Sequence, residues 1–163
     1  MCKKSVGGKG YPLRANVKEL TPQIGTGYPT PLDEPCLLRE KTNLGDQVGL
    51  SQFGVNLLVL QPGSWSAQRH WHKNEDEFVY ILEGHPTLYT NDGKTPLAPG
   101  MCSGFKAGSG DSHCLMNETD EDVIYLEVGD RTPGDAACYP DDDLKALDVK
   151  GKWVFTRKDG TPY

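Results

Sequence analysis

The chain is predicted to be all-β, a sandwich or small barrel in one domain. Two observations carry this. The 19 Gly and 12 Pro are spread along the 163 residues rather than clustered. Turn dipeptides also separate short apolar runs that recur about every 8–12 residues, a spacing that suits a sandwich or barrel better than a few long helices. The length supports one hydrophobic core without staples and leaves no room for a second catalytic domain.

Residues 1–46 hold few periodic apolar positions and several turn formers, as in GTGYPTPLDEPC, and read as an extended arm with short edge strands that wraps the domain or a partner subunit. Residues 47–130 form the expected barrel core. Within it VGLSQFGVNLLVLQPG is a long strand, or a strand pair broken at Gly54, closed by the turn Pro62-Gly63. WSAQRHWH is a short alternating strand, and EFVYILEG is a β-rich run stopped by Gly84. PTLYT, the turn NDG at 91–93 and TPLAPG make a hairpin. MCSGFKAG, DSHCLMN and VIYLEVGD supply three more strands. Residues 131–163 are expected to pack on the barrel, with one helical turn at DDDLKALD and an edge strand with a hairpin-like tail in KWVFTRKDGTPY.

A formal charge of −6 and a pI near 5.2, with no basic run beyond Lys3–Lys4, argue against nucleic acid or an anionic membrane as partner. A small molecule or another protein is expected instead. The five cysteines (Cys2, Cys36, Cys102, Cys114 and Cys138) are odd in number and show no C-x-x-C spacing. They read as free thiols rather than a disulfide framework or thiolate zinc site. The basic N-terminal stretch lacks the apolar region of a secretory signal, and no segment approaches the roughly 18 apolar residues of a membrane span, so a cytoplasmic protein is expected.

Chemistry concentrates in RHWHKNEDEF, residues 69–78. In a strand, residues i and i+2 share a face, so His70 and His72 project two imidazoles into one space, the way a sheet presents a metal chelate. Arg69 and Trp71 have the opposite parity and face away. The remaining histidines are His85 and His113. His85 follows the strand-ending Gly84 and reads as rim or surface.

From Gly63 to Gly84 the chain reads G-x6-H-x-H-x4-E-x6-G, and from Gly100 to Asn117 it reads G-x5-K-x-G-x4-H-x3-N. These resemble the two motifs of the cupin superfamily, G-x5-H-x-H-x3,4-E-x6-G and G-x5-P-x-G-x2-H-x3-N. Three departures stand out: one extra residue before His70, Lys106 in place of Pro, and two extra residues between Gly108 and His113. The resemblance implies a jelly-roll, or double-stranded β-helix, barrel of two antiparallel sheets, often dimeric, with a metal inside. It implies His70, His72, Glu77 and His113 as ligands.

Among the three acids, Glu77 opens the apolar run FVYILE, so alternation through Val79 and Ile81 points it inward, where a cation would offset the cost of burying a carboxylate. Glu75 and Asp76 sit in the connecting turn, with Glu75 the fallback ligand. Asn117 either bonds near the site or ends its strand. Phe78, Tyr80 and Leu82 form an opposite apolar face that suits a homodimer, although the chain's own termini could also cover it.

Three imidazoles and a carboxylate suit Zn, Mn, Fe, Ni or Co as a divalent ion, and the sequence does not choose among them. Three readings follow. The first is a metal-dependent isomerase or epimerase acting on a small polar substrate such as a sugar phosphate, the description attached to small bacterial cupins that the chain resembles. Lys106, Lys73 and Arg131 are its candidate phosphate anchors. The second is an iron(II) dioxygenase with an apolar pocket from Val79, Ile81, Leu115 and Phe105. The third is a non-catalytic small-molecule or metal-binding cupin. Tyr80, Tyr125 and Glu127 are candidates for the acid–base group that catalysis requires.

Overall fold

The structure, a computed structural model, describes residues 14–163. Cys2, the Lys3–Lys4 pair and the start of the expected arm lie outside the described residues. The strands are β1 (Gln23–Ile24), β2 (Arg39–Asn43), β3 (Phe53–Leu60), β4 (Trp71–His72), β5 (Glu77–Glu83), β6 (Thr87–Thr90), β7 (Gly93–Pro96), β8 (Cys102–Phe105), β9 (Cys114–Met116), β10 (Val123–Asp130), β11 (Ala136–Cys138), β12 (Lys145–Asp148) and β13 (Trp153–Thr156). One four-residue helix, α1 (Leu44–Gln47), follows β2.

Side-chain alternation explains the layers. In β3, Asn56, Leu58 and Leu60 are buried while Val55, Leu57 and Val59 are half-buried, and in β5 Val79 and Ile81 are buried while Phe78, Tyr80 and Leu82 are exposed. Such strands lie with one face on a core. They join the antiparallel sheet β1-β2-β3-β10-β5-β8. Two smaller antiparallel sheets, β13-β12-β11-β4 and β7-β6-β9, are tied together by the bridges Trp65↔Met116 and His70↔His113 into a second layer. The barrel core between them holds Leu58, Leu60, Val79, Ile81, Leu88, Leu97, Leu115, Val123 and Tyr125. A second cluster of Ala137, Tyr139, Leu144 and Ala146 packs on Tyr28, Leu32 and Phe155. The fold is the expected all-β jelly roll.

Of the two readings at Gly54 the long strand holds: β3 is continuous and Gly54 pairs with Gly129. Two local expectations change. WSAQRHWH is not a regular strand. Between the two bridges it spends five residue steps, 65 to 70, against three, 116 to 113, so the extra residues bulge out and only Trp71–His72 pairs regularly, with β11. DDDLKALD is not helical. Its Leu, Lys and Ala are good helix formers, but Leu144 and Ala146 alternate into the second cluster and the stretch pairs as β12.

Cys36, Cys102, Cys114 and Cys138 are free thiols. No helix of the described residues is long and apolar enough to cross a membrane.

Candidate metal centre

Four side chains from three parts of the fold meet between the layers. The second layer supplies His70 and His72 from the bulged stretch and β4, and His113 from the start of β9. Glu77 enters from the opposite layer at the head of β5, where it pairs with Gly129 and Phe105. The Glu77 Oε2 atom lies 3.0 Å from His113 Nε2, 3.5 Å from His72 Nε2 and 3.8 Å from His70 Nε2. The Nε2 atoms of His70 and His72 are 3.1 Å apart.

The outer nitrogens decide what those inner atoms can do. His70 Nδ1 lies 2.8 Å from the Gln68 carbonyl, and His72 Nδ1 lies 2.5 Å from Asp135 Oδ2. Both partners are acceptors, so each Nδ1 carries the hydrogen and each neutral ring turns a bare Nε2 lone pair inward. Two lone pairs 3.1 Å apart, beside a buried carboxylate oxygen, repel unless a cation joins them. Metal–nitrogen bonds of about 2.0–2.1 Å place neighbouring ligand atoms roughly 3 Å apart, the spacing seen. The group fits a divalent metal.

Titration follows the same geometry. Burial pushes His70 down to about 4. Burial acts the same way on His72, but Glu77 and Asp135 outweigh it and raise that ring above its ordinary value. For Glu77, burial pushes upward while the three surrounding imidazoles prevail and hold the carboxyl below the usual range.

Aromatic rings back all three imidazoles. Tyr139 stacks on His70 with centroids 5.6 Å apart, Phe105 lies parallel to His113 at 3.4 Å, and Trp153 meets His72 edge-on at 5.7 Å. Asp135 is fully buried, and its Oδ1 accepts the Asn74 backbone N–H at 2.8 Å. Asp135, Tyr139 and Trp153 have no site role in the sequence reading, which expects residues 131–163 only to pack on the barrel. Asp135 has no local signature to separate it from the surface acids that follow.

The other predicted residues sort clearly. Arg69 faces away from the centre, paired with Asp141 at 2.7 Å and lying over the Tyr89 ring. Glu75 is near the cluster but on its outer side, within reach of Asp135 and His72 rather than of Glu77's inner oxygen. Burial and then Asp135 push it up to about 7. His85 is exposed. Asn117 is buried and structural: its amide donates to the Leu60 and Glu121 carbonyls at 2.8 and 2.7 Å. Lys73 and Lys106 are exposed, and Arg131 is paired with Asp46 at 2.5 Å. Val79, Ile81 and Leu115 are core residues. Tyr80 is on the outer face, 38% exposed, whereas Tyr125 and Glu127 are on the inner face of the large sheet.

The cupin domain family matches residues 56–129. Among solved structures, a sugar phosphate isomerase from a cupin superfamily of Silicibacter pomeroyi is 41% identical, covering 92% of this chain and 96% of that one at a TM-score of 0.88. The chain belongs to the cupin superfamily. A candidate sugar phosphate isomerase from Acidithiobacillus ferrooxidans is 31% identical over 77% of this cupin and 80% of that chain, with a TM-score of 0.70. A predicted oxalate decarboxylase from Thermotoga maritima, 23% identical over 72% of this chain and 97% of its own at a TM-score of 0.56, shares the fold alone. No curated protein matches the chain. The family match ends at residue 129, so Asp135, Tyr139 and Trp153 reach this cupin's centre from outside the matched domain.

Proposed function

We propose that His70, His72, Glu77 and His113 hold a divalent transition metal, and that this centre serves isomerisation or epimerisation of a small polar substrate such as a sugar phosphate. One observation carries the reading: the Nε2 atoms of three imidazoles and a carboxylate oxygen converge in a buried space, where the Nδ1 hydrogens of His70 and His72 are already committed outward and leave two lone pairs facing in. Bound there, the ion would act as a Lewis acid, polarising a carbonyl so that the neighbouring C–H proton is more readily moved. The chain's own part is to fix ring orientation through Gln68, Asp135 and the aromatic backing, and to keep bulk water off the inner nitrogens. Support for the reaction class comes from the 41% identical structure described as a sugar phosphate isomerase.

The reading treats residues 47–130 as the barrel core, with 1–46 as the arm and 131–163 as the supporting segment. It places the protein in the cytoplasm, where free thiols persist. It also makes the protein a homodimer through the outer face of the large sheet. There Val55, Leu57 and Val59, Phe78, Tyr80 and Leu82, and Ile124, Leu126 and Val128 make an apolar centre, bordered by Glu40 beside Val59 and Glu83 beside Ile124, across which two copies of the chain can meet. Light scattering of wild type and Tyr80→Lys checks this, with a dimer lost in the variant as the expected result.

Elemental analysis of purified protein, His70→Ala and Glu77→Gln tests the site, and proton exchange tests the reaction. Near-stoichiometric metal in wild type and little in either variant is expected. Incubation with pentose and hexose phosphates in D₂O is expected to wash deuterium into the carbon beside a carbonyl. Iron together with substrate-linked oxygen consumption would favour the dioxygenase reading. Equal metal in all three proteins would remove the site.

A further inference from the structure

The inner face of the large sheet changes character along its strands. Aligned across β5, β10, β3 and β2, the rungs read Glu77, Gly129, Gly54; then Val79, Glu127, Asn56, Asn43; then Ile81, Tyr125, Leu58, Lys41. At the deep end Ile81 and Leu58 are 0% exposed and Tyr125 is 1% exposed. Nearer Glu77 the wall is polar and only partly covered, the Glu77 and Glu127 side chains being 18% and 21% exposed, and Lys41, at the β2 edge of the deeper rung, is 27% exposed. Gly129 puts no side chain beside Glu77, where a Cβ would sit 3.7 Å from Glu77 Cγ, while Gly54 lets the Asn56 amide and the Arg131 guanidinium lie against the wall, 3.6 and 3.7 Å from where its Cβ would be.

Lys41 Nζ and Asn56 Nδ2 both donate to Glu127 Oε1, at 2.8 and 2.9 Å. Among the described residues nothing donates to Oε2. An inward ion pair of this kind contributes little to stability compared with an apolar pair of similar size, so packing alone gives weak reason for it. The Tyr125 hydroxyl lies one rung deeper, buried near Ser66. Burial would push the Glu127 carboxyl up, but Lys41 outweighs it and keeps the group ionised and accepting.

We propose that Glu127 is a substrate-contact residue whose free Oε2 accepts a hydrogen bond from a hydroxyl of a polyhydroxylated carbonyl compound held at the metal centre, with Lys41 and Asn56 as its positioning residues. This rests on the metal-centre reading. Glu127 and Glu77 are diagonal neighbours on adjacent strands, roughly 7 Å apart, a span that suits a pentose or hexose chain with one oxygen at each end. The pair Lys41–Glu127 is neutral and the Arg131 guanidinium over Gly54 is already paired with Asp46, so the hydroxylated chain, rather than a phosphate, is what this wall recognises.

The test uses metal-loaded wild type, Glu127→Gln and Lys41→Met, with D-ribose, D-ribose 5-phosphate, D-fructose and D-fructose 6-phosphate as probes in calorimetric titrations. Metal content and thermal melts are measured first. Expected are wild-type binding of at least one probe, about 10–100-fold weaker binding by Glu127→Gln from loss of a charged hydrogen bond, and unchanged metal content. Lys41→Met is expected to weaken binding and to move its onset to higher pH, because the carboxylate loses its counter-charge. Wild-type affinity in Glu127→Gln, loss of metal from that variant, or a metal-loaded wild type that binds none of the four sugars would each overturn the proposal. A wild type without metal would instead overturn the reading beneath it.

Discussion

Replacing Asp135 by Asn changes one atom type and sets two fixed requirements against each other. In the native chain Oδ2 accepts from His72 Nδ1–H at 2.5 Å and Oδ1 accepts from the Asn74 backbone N–H at 2.8 Å, with the residue fully buried. An amide offers one oxygen and one NH₂. The backbone N–H cannot change, so if the oxygen stays on Asn74 the NH₂ faces His72, and His72 must move its hydrogen to Nε2, which blocks the inner lone pair. If the amide turns over, the Asn74 N–H is buried without an acceptor. Either outcome costs about 1–3 kcal/mol, and loss of an outer partner of a metal-bound histidine typically weakens affinity about 10–100-fold, or about 1.4–2.7 kcal/mol. The two routes agree, so a 10–100-fold loss of zinc or manganese affinity is expected. Competition against a coloured chelator measures it, and long-range ¹H–¹⁵N spectra of the metal-free variant report which His72 nitrogen carries hydrogen. Affinity within threefold of wild type, with His72 still protonated on Nδ1, would refute the argument.

Three further outcomes follow from the same structure. Metal affinity is expected to fall as pH drops, by about tenfold per unit once His72 protonates. Its folded value is raised, so protons compete there first, while His70, held at about 4, competes only in strong acid. The chelator competition repeated at pH 7.5, 6.5 and 5.5 checks this, and a flat profile would contradict it. Glu75→Gln is expected to stabilise the metal-free protein at pH 8, by up to about 1 kcal/mol given its partial exposure, and to matter less at pH 5. The sign follows from its value of about 7 against an ordinary 4.5: the fold favours the neutral carboxyl, so the penalty builds as pH rises from about 4.5 to about 7 and is complete above that, and urea melts at both pH values read it. Gly84→Ala is expected to lower the melting temperature by roughly 5 °C or more. Gly84 has φ 76°, and a Cβ there would come within 2.5 Å of the Asp122 carbonyl oxygen and 2.9 Å of Val123 Cα, backbone that has nowhere to move.

Much of the centre is legible from local pattern, and the reason is the period of two. Alternation through Val79 and Ile81 points Glu77 inward and leaves Glu75 and Asp76 in the turn, an arrangement the structure shares. The H-x-H geometry is less faithful. The stretch before His70 bulges, and the two imidazoles come together because the His70↔His113 bridge and the Trp71–His72 pairing with β11 fix them separately. Motif spacing carried His113 even across the long GSGDS turn, where Gly108 and Gly110 take positive φ and bring the chain back into register. Asp135 was illegible for a different reason. Its role depends on β11 pairing with β4, a contact 63 residues apart that no local run announces. LKAL became a strand against its helical propensity because Leu144 and Ala146 are buried in the second cluster and β12 is paired on both sides, with β11 and β13.

Those two kinds of residue divide the chemistry between them. Four converging donors would on their own account for a metal centre and leave the reaction open. What distinguishes one such protein from another must then come from side chains that surround the donors without belonging to them. In this chain they arrive from two directions. Asp135, Tyr139 and Trp153 come from beyond the matched domain and act on the imidazoles from behind, setting tautomer and tilt. Lys41, Asn56 and Glu127 line the opposite wall, where Gly129 puts no side chain beside Glu77. Changes to the first group should therefore register as metal affinity and changes to the second as substrate affinity at constant metal. That separation can be measured before the substrate has a name.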